Sequence, residues 1–554
     1  MRAWQVAALL AAVHLVLALL TLDPTLHSGG DNAAYLALAR SILERGTYQE
    51  LWDPAMRAHT QYPPGWPLIL AAAMTVGVKP WVGFKVLGIL FSTAGAALSF
   101  LWARRVSTPG VALAVGTLMA VSPGVVDLAR WELSDVPFYC FTMLALWAFA
   151  RRTNQRGAEA DAPGGEDADR PALAALALAS AAVLLAYVTR SAGVPLVVAA
   201  AGWLAWRRRW RALSLFAAVV APFALAWTIR GRLVDNVSYV SSLWYVDPYT
   251  PALGTVTFGG MLGRIARNVV EYTSDHLPYL LIGSRMTTTA IIVGILVAVL
   301  SLAGWAMRLR RAGLAEIWLP LYMGLVLIWP AEWSGERFLL PALPVLLVCT
   351  AEVVGAAGRR IGQPLLLGAG LVGVLLVAGA RPLVREIAAA RECRAAYGPE
   401  NPHPCLPPNW QDFLSMASTS RGQLPPGSAV LSRKPTLFWA MSGYPSRAYP
   451  FTTSPDSLLA AARDAGAGYV LMDYLDSISM MYLAPVLMQR PQAFCVRGAA
   501  GPGRATMMGI LPGAERIPNV RAAPTHDEQA NVNFAYCQNL PREMGQAPPG
   551  TVSR

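Results

Sequence analysis

Residues 23–67, DPTLHSGGDNAAYLALARSILERGTYQELWDPAMRAHTQYPPGWP, form a polar stretch between two apolar parts of the chain. The stretch follows an apolar run at residues 4–22 and carries acids, bases, two histidines and a YPPG turn. A simple tether between two membrane spans needs none of these groups. We therefore interpret residues 23–67 as a polar surface for which the rest of the chain provides the frame.

The middle of this stretch predicts one helix. Gly29 and Gly30 form a flexible turn that ends in the carboxylate of Asp31, and Gly46 supplies a stop signal. Between these points apolar residues recur at helical spacing, namely at Tyr35, Leu36, Leu38, Ala39, Ile42 and Leu43. We expect an amphipathic helix along a membrane surface, with Asp31 at its N-terminus near the lipid headgroups. There Asp31 can be an N-cap or a catalytic acid, and the spacing favours neither role.

The composition indicates the class of protein. Hydrophobic residues make up 55% of the chain and charged residues 14%, which is typical of a polytopic membrane protein. Residues 4–22 are long for the core of a secretory signal and lack a cleavage site before Asp23, so we expect a retained anchor. The net charge is +12, but the arginines lie in short clusters beside apolar runs. That pattern encodes membrane topology and argues against nucleic-acid binding.

About eleven transmembrane helices are expected from the apolar runs. They lie near residues 4–22, 80–103, 109–127, 134–150, 171–188, 191–206, 211–229, 286–307, 314–330, 337–356 and 364–380. The segment 66–78, WPLILAAAMTVGV, has only about 13 residues and is too short to cross a bilayer alone. We expect it to be interfacial or re-entrant.

The basic clusters predict the orientation of these spans. With a cytoplasmic N-terminus, every cluster falls on the cytoplasmic side, as the positive-inside rule requires. The clusters are Arg104 with Arg105, Arg151 with Arg152, Arg207 to Arg209 with Arg211, Arg308 with Arg310 and Arg311, and Arg359 with Arg360. Loops 23–79 and 230–285 and the residues after about 381 then lie on the outer face. We expect an integral protein of the bacterial inner membrane with these parts in the periplasm.

The chain is expected to have two domains. Residues 1–380 form an all-α polytopic membrane domain, with 23–79 and 230–285 as its large periplasmic loops. Residues 381–554 are richer in Pro and polar residues, and short apolar strands alternate there with helical segments, which predicts a C-terminal periplasmic α/β domain. The acidic segment 153–170 is expected to be a disordered cytoplasmic linker.

Four cysteines fall in the terminal domain, on the side of the membrane where disulfides form. By proximity in the sequence we expect Cys393 to pair with Cys405 and Cys495 to pair with Cys537. Neither spacing resembles a CxxC metal or redox site.

Several charged residues come near the outer face in this topology. They are Lys85, Arg190, Arg230, Glu336 and Arg337, joined by Glu132 and Asp135 of the segment RWELSDVP. A charge inside a span costs roughly 2.5–3.5 kcal/mol on insertion scales, so each needs a partner or a function. Cations that face a carboxylate at one interface suit an anionic lipid-linked substrate, whose phosphate the arginines would bind. Any one of them could instead snorkel or form a pair such as Glu336 with Arg337.

A resemblance to a known family rests on several of these segments. GDNAAYLALARSILERG followed by QYPPGWPLILAA resembles the first outer loop of the GT-C superfamily of polytopic glycosyltransferases, in particular the branch of protein mannosyltransferases and aminoarabinose transferases. Other segments resemble the family in the same order: WVGFKVLGILFSTAGAAL, ELSDVPFY, LAYVTRSAGVPLVVAA, WTIRGR, ERFLLPALPVLL and the terminal SRKPTLFWAMSGYPSRAYPF. The acid is followed by Asn32 rather than a second acid, which argues against a two-carboxylate or metal-dependent mechanism there.

The resemblance implies transfer of a sugar from a polyprenyl-phosphate donor to a lipid, glycan or protein acceptor at the periplasmic face. Asp31 would be the base that deprotonates the acceptor hydroxyl. The donor phosphate would be bound by Arg337, Arg190, Lys85 and Arg230, and the pocket lined by Tyr35, Tyr62, Pro63, Glu132, Asp135 and Glu336. No cofactor is expected, and dependence on a divalent metal stays open, although the sequence shows no ligand cluster for one.

Two other functions remain open at this point. A lipid-linked sugar transporter or flippase also needs many spans and cations, but it should place charges near the bilayer midplane, often in two similar halves. Here the charges gather at one face and no repeat is apparent. An O-antigen-ligase-like enzyme that uses a diphosphate-linked glycan would have a similar phosphate-binding site.

Overall fold

The structure is a computed structural model that describes residues 2–159, 166–234, 243–311, 313–501, 504–520 and 534–537. In the first part of the chain, helices are joined by loops. Its helices are α1 (Ala3–Leu20), α2 (Asp31–Arg45), α3 (Gly65–Thr75), α4 (Val82–Val106), α5 (Pro109–Val121), α6 (Pro123–Ala129), α7 (Asp135–Glu159), α8 (Glu166–Thr189), α9 (Val194–Trp206), α10 (Trp210–Leu233), α11 (Phe258–Glu271), α12 (Leu277–Ile282), α13 (Thr288–Arg308), α14 (Leu314–Ile328), α15 (Leu343–Arg360) and α16 (Pro364–Ala396).

Each expected apolar span coincides with a helix or a pair of helices. By length and composition, five described helices can cross a membrane, namely α1, α4, α10, α13 with the turn after it, and α16. Helices α5 and α6 form a pair bent by 55°, which would make a sixth span. The bend lies at Pro123, which lacks the N–H that a continuous helix needs and holds Ser122 in an extended conformation. Eleven membrane crossings therefore remain a prediction.

Three expected boundaries differ in detail. The span expected at 337–356 begins as a helix only at Leu343, because Glu336–Phe338 form a separate 3-10 turn. This places Glu336 and Arg337 in a loop and not inside a span. Helix α16 continues without a break past the expected domain boundary at residue 380. Within the expected linker 153–170, α7 extends to Glu159 and α8 starts at Glu166, and residues 160–165 lie outside the described residues.

Glycines allow the closest contacts within the helix bundle. A Cβ at Gly294 or Gly304 of α13 would clash with the carbonyl oxygens of Thr273 and Cys349. Close approach of backbones through small residues is how helices pack in lipid, where burial from water supplies no driving force. The bundle can therefore hold the loops at its ends in fixed positions.

The terminal part is a small α/β domain. Its elements are α17 (Pro408–Thr419), β1 (Ala429–Leu431), α18 (Pro435–Ser442), β2 (Ser446–Arg447), α19 (Pro455–Asp464), β3 (Ala467–Asp473), α20 (Ala484–Gln489), β4 (Phe494–Ala500) and β5 (Ala505–Ile510). The strand order is β2-β1-β3-β5-β4. Strand β1 is parallel to β2 and β3, whereas β5 is antiparallel to β3 and β4.

The sheet separates two apolar clusters, because alternate strand residues point to opposite faces. Leu431 and Val470 pack on the face covered by α19 and α20. Val430 and Leu471 pack on the face covered by α17 and α18. Two disulfides also lie in this part of the chain, and they join Cys393 to Cys405 and Cys495 to Cys537.

Helix α2 lies between the two parts of the molecule. Its Tyr35, Leu36 and Ala39 pack against the membrane part, including Trp66 of α3. Its Ala34, Ala37 and Leu38 pack in a cluster with Trp439 of α18. The helix has the expected bounds, but it is buried on both sides and does not lie on an open membrane surface. The sequence pattern missed this because the second apolar partner is a distant domain.

Candidate active site

Asp31 is the first residue of α2, directly after a glycine turn. Gly30 occupies the N-cap position with a φ of 96°, a left-handed conformation that favours glycine. The carboxylate of Asp31 is therefore not the cap. At the first turn of a helix the macrodipole favours a negative charge. The local fold thus stabilises an ionised Asp31 and leaves its side chain available for other contacts.

Two side chains bind the carboxylate of Asp31. The Tyr62 hydroxyl donates to Oδ1 at 3.0 Å, and Nη1 of Arg337 donates to Oδ2 at 3.2 Å. The side chain of Asp31 is 31% exposed, and that of Arg337 is 22% exposed. Since both remain accessible, a substrate can reach the acid and the cation at one place.

Arg337 belongs to a wider network of charges. Its Nη1 lies 3.9 Å from Oδ2 of Asp135, and Nη1 of Arg190 lies 2.7 Å from the same oxygen. The ring of Phe338 is 5.1 Å from the guanidinium of Arg337 and 5.2 Å from that of Arg190. Two arginines and two carboxylates therefore converge where α2 and α7 begin and α8 ends.

Electrostatics keep Asp31 ionised at neutral pH. Burial opposes the charged form, but the Arg337 guanidinium and the hydrogen bond from Tyr62 outweigh it and lower the pKa of Asp31 below its usual range. Burial likewise opposes the charge of Arg337, yet Asp135 and Asp31 outweigh it and raise the pKa of Arg337. The pair is an ionised acid and a permanent cation.

Tyrosine rings form one wall of the site. The rings of Tyr35 and Tyr62 are 4.9 Å apart. The backbone N–H of Tyr62 donates to Nε2 of His59 at 2.9 Å, and Nδ1 of His59 lies 3.0 Å from Glu50. Pro63 follows Tyr62 and is buried. These contacts hold the YPPG turn in place, so the Tyr62 hydroxyl keeps a defined position at Asp31.

Ser134 connects Tyr35 to Arg190. The Ser134 hydroxyl lies 2.8 Å from the Tyr35 hydroxyl and accepts a hydrogen bond from Arg190 at 3.2 Å. Sequence reasoning selected only the two acids of the segment ELSDVP as site residues. A hydroxyl beside an acid at the start of a helix is too common a pattern to have identified Ser134.

The described contacts of Lys85 are with Asp23. Its Nζ donates to the carbonyl oxygen of Asp23 at 3.0 Å and to Oδ1 of Asp23 at 3.1 Å. Asp23 also pairs with Arg130, which pairs in turn with Asp127. The Lys85 side chain is only 4% exposed. These contacts attach the start of loop 23–79 to α4, and the expected role of Lys85 as a phosphate ligand stays a prediction.

The described hydrogen bonds of Arg230 also go to partners other than Asp31. Its Nη2 donates to the carbonyl oxygens of Tyr48 and His59 at 3.0 and 3.4 Å. It lines a cavity of about 650 Å³ between α2, α3 and α10, together with Phe223 and Trp227. The expected group of four cations is therefore two arginines at Asp31 and two cations with other partners.

Two of the expected pocket acids have structural partners. Glu132 is fully buried, and its Oε2 accepts the N–H of His27 at 3.1 Å. Burial raises the pKa of Glu132 to about 7. Glu336 pairs with Arg285 at 2.8 Å and with His276 at 3.3 Å, and not with its neighbour Arg337. Burial opposes its ionisation, but His276 and Arg285 lower its pKa to about 2.

The terminal domain contributes two residues that the sequence interpretation missed. Nζ of Lys434 donates to the carbonyl oxygen of Gly29 at 3.3 Å. The Thr436 hydroxyl donates to the carbonyl oxygen of Gly30 at 2.9 Å. The sequence offered the basic segment RKPT before a helix and the resemblance carried by SRKPTLFWAMSGYPSRAYPF, and neither specifies a partner. Within the described ranges, no group of three His, Cys, Asp or Glu side chains is arranged to hold a metal ion.

Solved structures with the same architecture exist, although no family model and no curated protein sequence matches the chain. ArnT from Cupriavidus metallidurans in the apo state aligns with a TM-score of 0.54 at 15% identity, over 92% of this chain and 98% of that chain. The same enzyme bound to undecaprenyl phosphate aligns with a TM-score of 0.51 at 14% identity, over 92% and 98%.

An archaeal structure gives the same result. The oligosaccharyltransferase of Archaeoglobus fulgidus tethered with an acceptor peptide aligns with a TM-score of 0.54 at 14% identity, over 93% of this chain and 74% of that chain. At these identities the likeness concerns the fold. The resemblance noted in the sequence is confirmed at that level, and the chain has the fold of the GT-C superfamily of polytopic membrane glycosyltransferases.

Proposed function

We propose that the protein is a membrane glycosyltransferase that moves a sugar from a polyprenyl-phosphate donor to an acceptor hydroxyl at the periplasmic face. The observation that carries the proposal is the accessible ion pair of Asp31 and Arg337, 3.2 Å apart, at the end of a bundle with this fold. Sugar transfer from a phosphate needs a base for the acceptor and a cation for the leaving group. Both groups are present side by side.

Asp31 is the proposed base. It accepts the proton of the acceptor hydroxyl as that oxygen attacks the anomeric carbon, and the bond from the sugar to the phosphate oxygen breaks. The electron pair of the broken bond stays on polyprenyl phosphate, and attack from the opposite face inverts the anomeric configuration. The Tyr62 hydroxyl, 3.0 Å from Oδ1, orients the carboxylate during this step.

Arg337 and Arg190 are the proposed phosphate ligands. The phosphodiester carries one negative charge and gains more as its bond to the sugar breaks, so nearby cations stabilise the transition state more than the ground state. Arg337 already forms a hydrogen-bonded ion pair with Asp31, so a bound phosphate competes with that carboxylate for the guanidinium. Donor binding then weakens the Arg337–Asp31 contact and makes Asp31 a stronger base.

The cavity beside Arg230 is a suitable place for the lipid part of a substrate. Its walls are mostly apolar and include Leu68, Phe223 and Trp227. It adjoins the site at Asp31 through Tyr48, whose hydroxyl donates to the carbonyl oxygen of Tyr62 at 2.9 Å. Arg230 lies in its wall and can approach an anionic group at the end of such a lipid.

Two similar proteins support a lipid-linked donor. One solved structure is ArnT bound to undecaprenyl phosphate, and another is the oligosaccharyltransferase AglB in complex with an inhibitory peptide and a dolichol phosphate. We assign the acceptor to the classes lipid, glycan or protein. The disulfides of the terminal domain support a periplasmic location, since such bonds persist on the oxidising side of the membrane.

A panel of labelled donors tests the proposal. Membranes that contain the protein are incubated with polyprenyl-phosphate sugars that differ in the sugar, and membranes without it serve as the control. We expect one donor to pass its label to an acceptor and to release polyprenyl phosphate. A transporter would move the donor without releasing polyprenyl phosphate, so transport without release contradicts the proposal.

A further inference from the structure

The turn before Asp31 lacks side chains that could fix its shape. It contains Gly29 and Gly30, and Gly30 adopts a φ of 96°. A Cβ at Gly29 would lie 2.7 Å from Nε2 of His27, so a larger residue there would force the His27 ring to shift. Two successive glycines lose much conformational freedom when ordered. Neighbouring parts of the molecule must therefore hold the turn.

The membrane part holds one side of the turn. Oε2 of Glu132 accepts the N–H of His27 at 3.1 Å. Nδ2 of Asn32 donates to the carbonyl oxygen of His27 at 2.9 Å. The ring of His27 stacks on Trp131 with centroids 4.5 Å apart. These contacts fix residue 27, but the two glycines lie beyond them.

The terminal domain holds the other side. Thr436 and Lys434 donate to the carbonyl oxygens of Gly30 and Gly29, at 2.9 and 3.3 Å. Leu26 and Ala33, on either side of the turn, are buried in the apolar cluster of α17 and α18. Among the described residues outside the first loop, it is the segment with Lys434 and Thr436 that donates hydrogen bonds to these two carbonyls. Thr436 lies 406 residues after Gly30 in the chain.

We infer that the terminal domain is a working part of the active site, because Thr436 and Lys434 position the Gly29-Gly30 turn and thereby set the direction of the Asp31 carboxylate. This inference rests on the proposed function, which makes Asp31 the base. A displacement of about 1 Å in a reacting group can reduce the rate about 100-fold. Thr436 touches the backbone of the turn and no reacting atom, so it is a positioning residue.

Other contacts keep the terminal domain attached when Thr436 is changed. Arg447 pairs with Asp53 at 2.8 Å, and the N–H of Ser446 donates to the carbonyl oxygen of Trp52 at 2.6 Å. Trp439 packs against α2. A variant that lacks only the Thr436 hydroxyl should therefore remain folded and docked, with an altered turn.

Kinetics of hydroxyl variants test the inference in the full-length purified protein. We expect Thr436→Val to lower kcat about ten-fold while KM for the polyprenyl-phosphate sugar stays within about two-fold, since the donor ligands are untouched. Thr436→Ser keeps the hydroxyl and should restore kcat. Thr452→Val is the matched control, because among the described residues the Thr452 hydroxyl accepts one hydrogen bond, from the local N–H of Ser454 in the same domain. It should leave both constants unchanged.

A second variant covers the case in which Thr436→Val fails to fold. Lys434→Met keeps an apolar side chain beside Trp410 but removes the bond to Gly29, and it should also lower kcat at constant KM. If both variants fold and keep the wild-type kcat, the inference is overturned. If Thr436→Val is unfolded, a wild-type kcat in Lys434→Met alone overturns it. Comparison with Asp31→Asn separates the two proposals. An inactive Asp31→Asn beside unaffected positioning variants refutes only this inference, whereas an active Asp31→Asn refutes the proposed function.

Discussion

Arg337 lies between two carboxylates and can affect both the base and the leaving group. Its Nη1 is 3.2 Å from Asp31 and 3.9 Å from Asp135. Replacement by Gln removes the cation that lowers the pKa of Asp31, so burial should dominate and raise that pKa. We expect Arg337→Gln to reduce kcat/KM by about 10²–10³-fold and to shift the acid limb of its pH profile to higher pH.

The measurement is kcat/KM between about pH 4 and about pH 8 for Arg337→Gln and the wild type. Arg463→Gln serves as the control, because Arg463 is 65% exposed on the terminal domain and pairs only at the surface. An acid limb at the wild-type pH in Arg337→Gln would mean that Arg337 does not control the ionisation of Asp31.

Asp23 is expected to contribute to the stability of the folded protein and not to catalysis. It pairs with Lys85 and Arg130, and both Asp23 and Lys85 are buried. Asp23→Asn leaves a buried lysine without its counter-ion, and we expect it to destabilise the protein by about 3–5 kcal/mol. Combining it with Lys85→Met should cost less than the sum of the single changes, because the two residues share one contact.

Thermal unfolding of the purified protein checks this coupling. Additive effects of Asp23→Asn and Lys85→Met would exclude a direct pair. Turnover per folded molecule should stay near the wild-type value in both variants. If folded Lys85→Met loses donor binding, Lys85 is one of the residues that bind the donor phosphate.

Sequence reasoning identified individual site residues when they lie in or beside a recognisable sequence segment. Asp31, Arg190 and Arg337 were selected in this way, and the structure brings them together. The same reasoning predicted that Lys85 faces the outer side of the membrane, but it could not select Asp23, 62 residues away, as its partner. Thr436 was out of reach, because its acceptor lies 406 residues earlier in the chain.

At the level of secondary-structure elements, the periodicity of apolar residues predicted best those segments that lie in one environment along their whole length. The bounds of α2 were predicted because an apolar pattern ends at Gly46, and the apolar spans coincide with helices because lipid demands long apolar runs. Strands β2, β4 and β5 were not predicted. Strand β2 has two residues, and β4 and β5 contain glycine, so none shows the alternation that identifies a strand.

Strand β3 ends in a buried acid that should make the terminal domain sensitive to pH. Asp473 is fully buried, and its Oδ2 has no hydrogen-bond partner among the described residues. Burial raises its pKa to about 6. The contribution of Asp473 to stability is therefore complete below about pH 4, where the unfolded chain is also protonated, and is lost as pH rises through about 6.

Asp473→Asn should remove this loss. We expect it to raise the free energy of unfolding of the terminal domain by up to about 3 kcal/mol at pH 8 relative to the wild type, with no gain near pH 4. The check is the thermal midpoint at both pH values, with Asp464→Asn, at an exposed position, as the control. A gain of equal size at both pH values would contradict an origin in ionisation.

At the scale of the whole molecule, the site forms where three distant parts of the chain meet. The first outer loop supplies Asp31, the loop before α15 supplies Arg337, and the terminal domain supplies Thr436. The basic residues Arg104 and Arg105 lie at the far end of α4 from Lys85, as the expected topology requires. The sidedness itself stays a prediction from the basic clusters, whereas the meeting of the three parts depends on tertiary packing.

The sidedness gives a prediction for intact cells. After reduction, a thiol reagent that does not cross the inner membrane should label Cys405 and Cys537 from the periplasm, because these are the accessible members of the two disulfides. Cys140, Cys349, Cys393 and Cys495 are buried and should stay unlabelled. Labelling of Cys405 and Cys537 only after the inner membrane is opened would place the domain, and Asp31 with it, on the cytoplasmic side.

Turnover of Asp31→Asn with a polyprenyl-phosphate sugar, measured beside donor binding, is the most direct test of Asp31 as the base. Asn has nearly the same shape but cannot accept the proton, so we expect transfer to fall at least about 10²-fold while donor binding persists. Asp456→Asn, in the first turn of α19 with a side chain 74% exposed, should retain full activity as the matched control. Near-normal turnover of Asp31→Asn would contradict catalysis by this carboxylate.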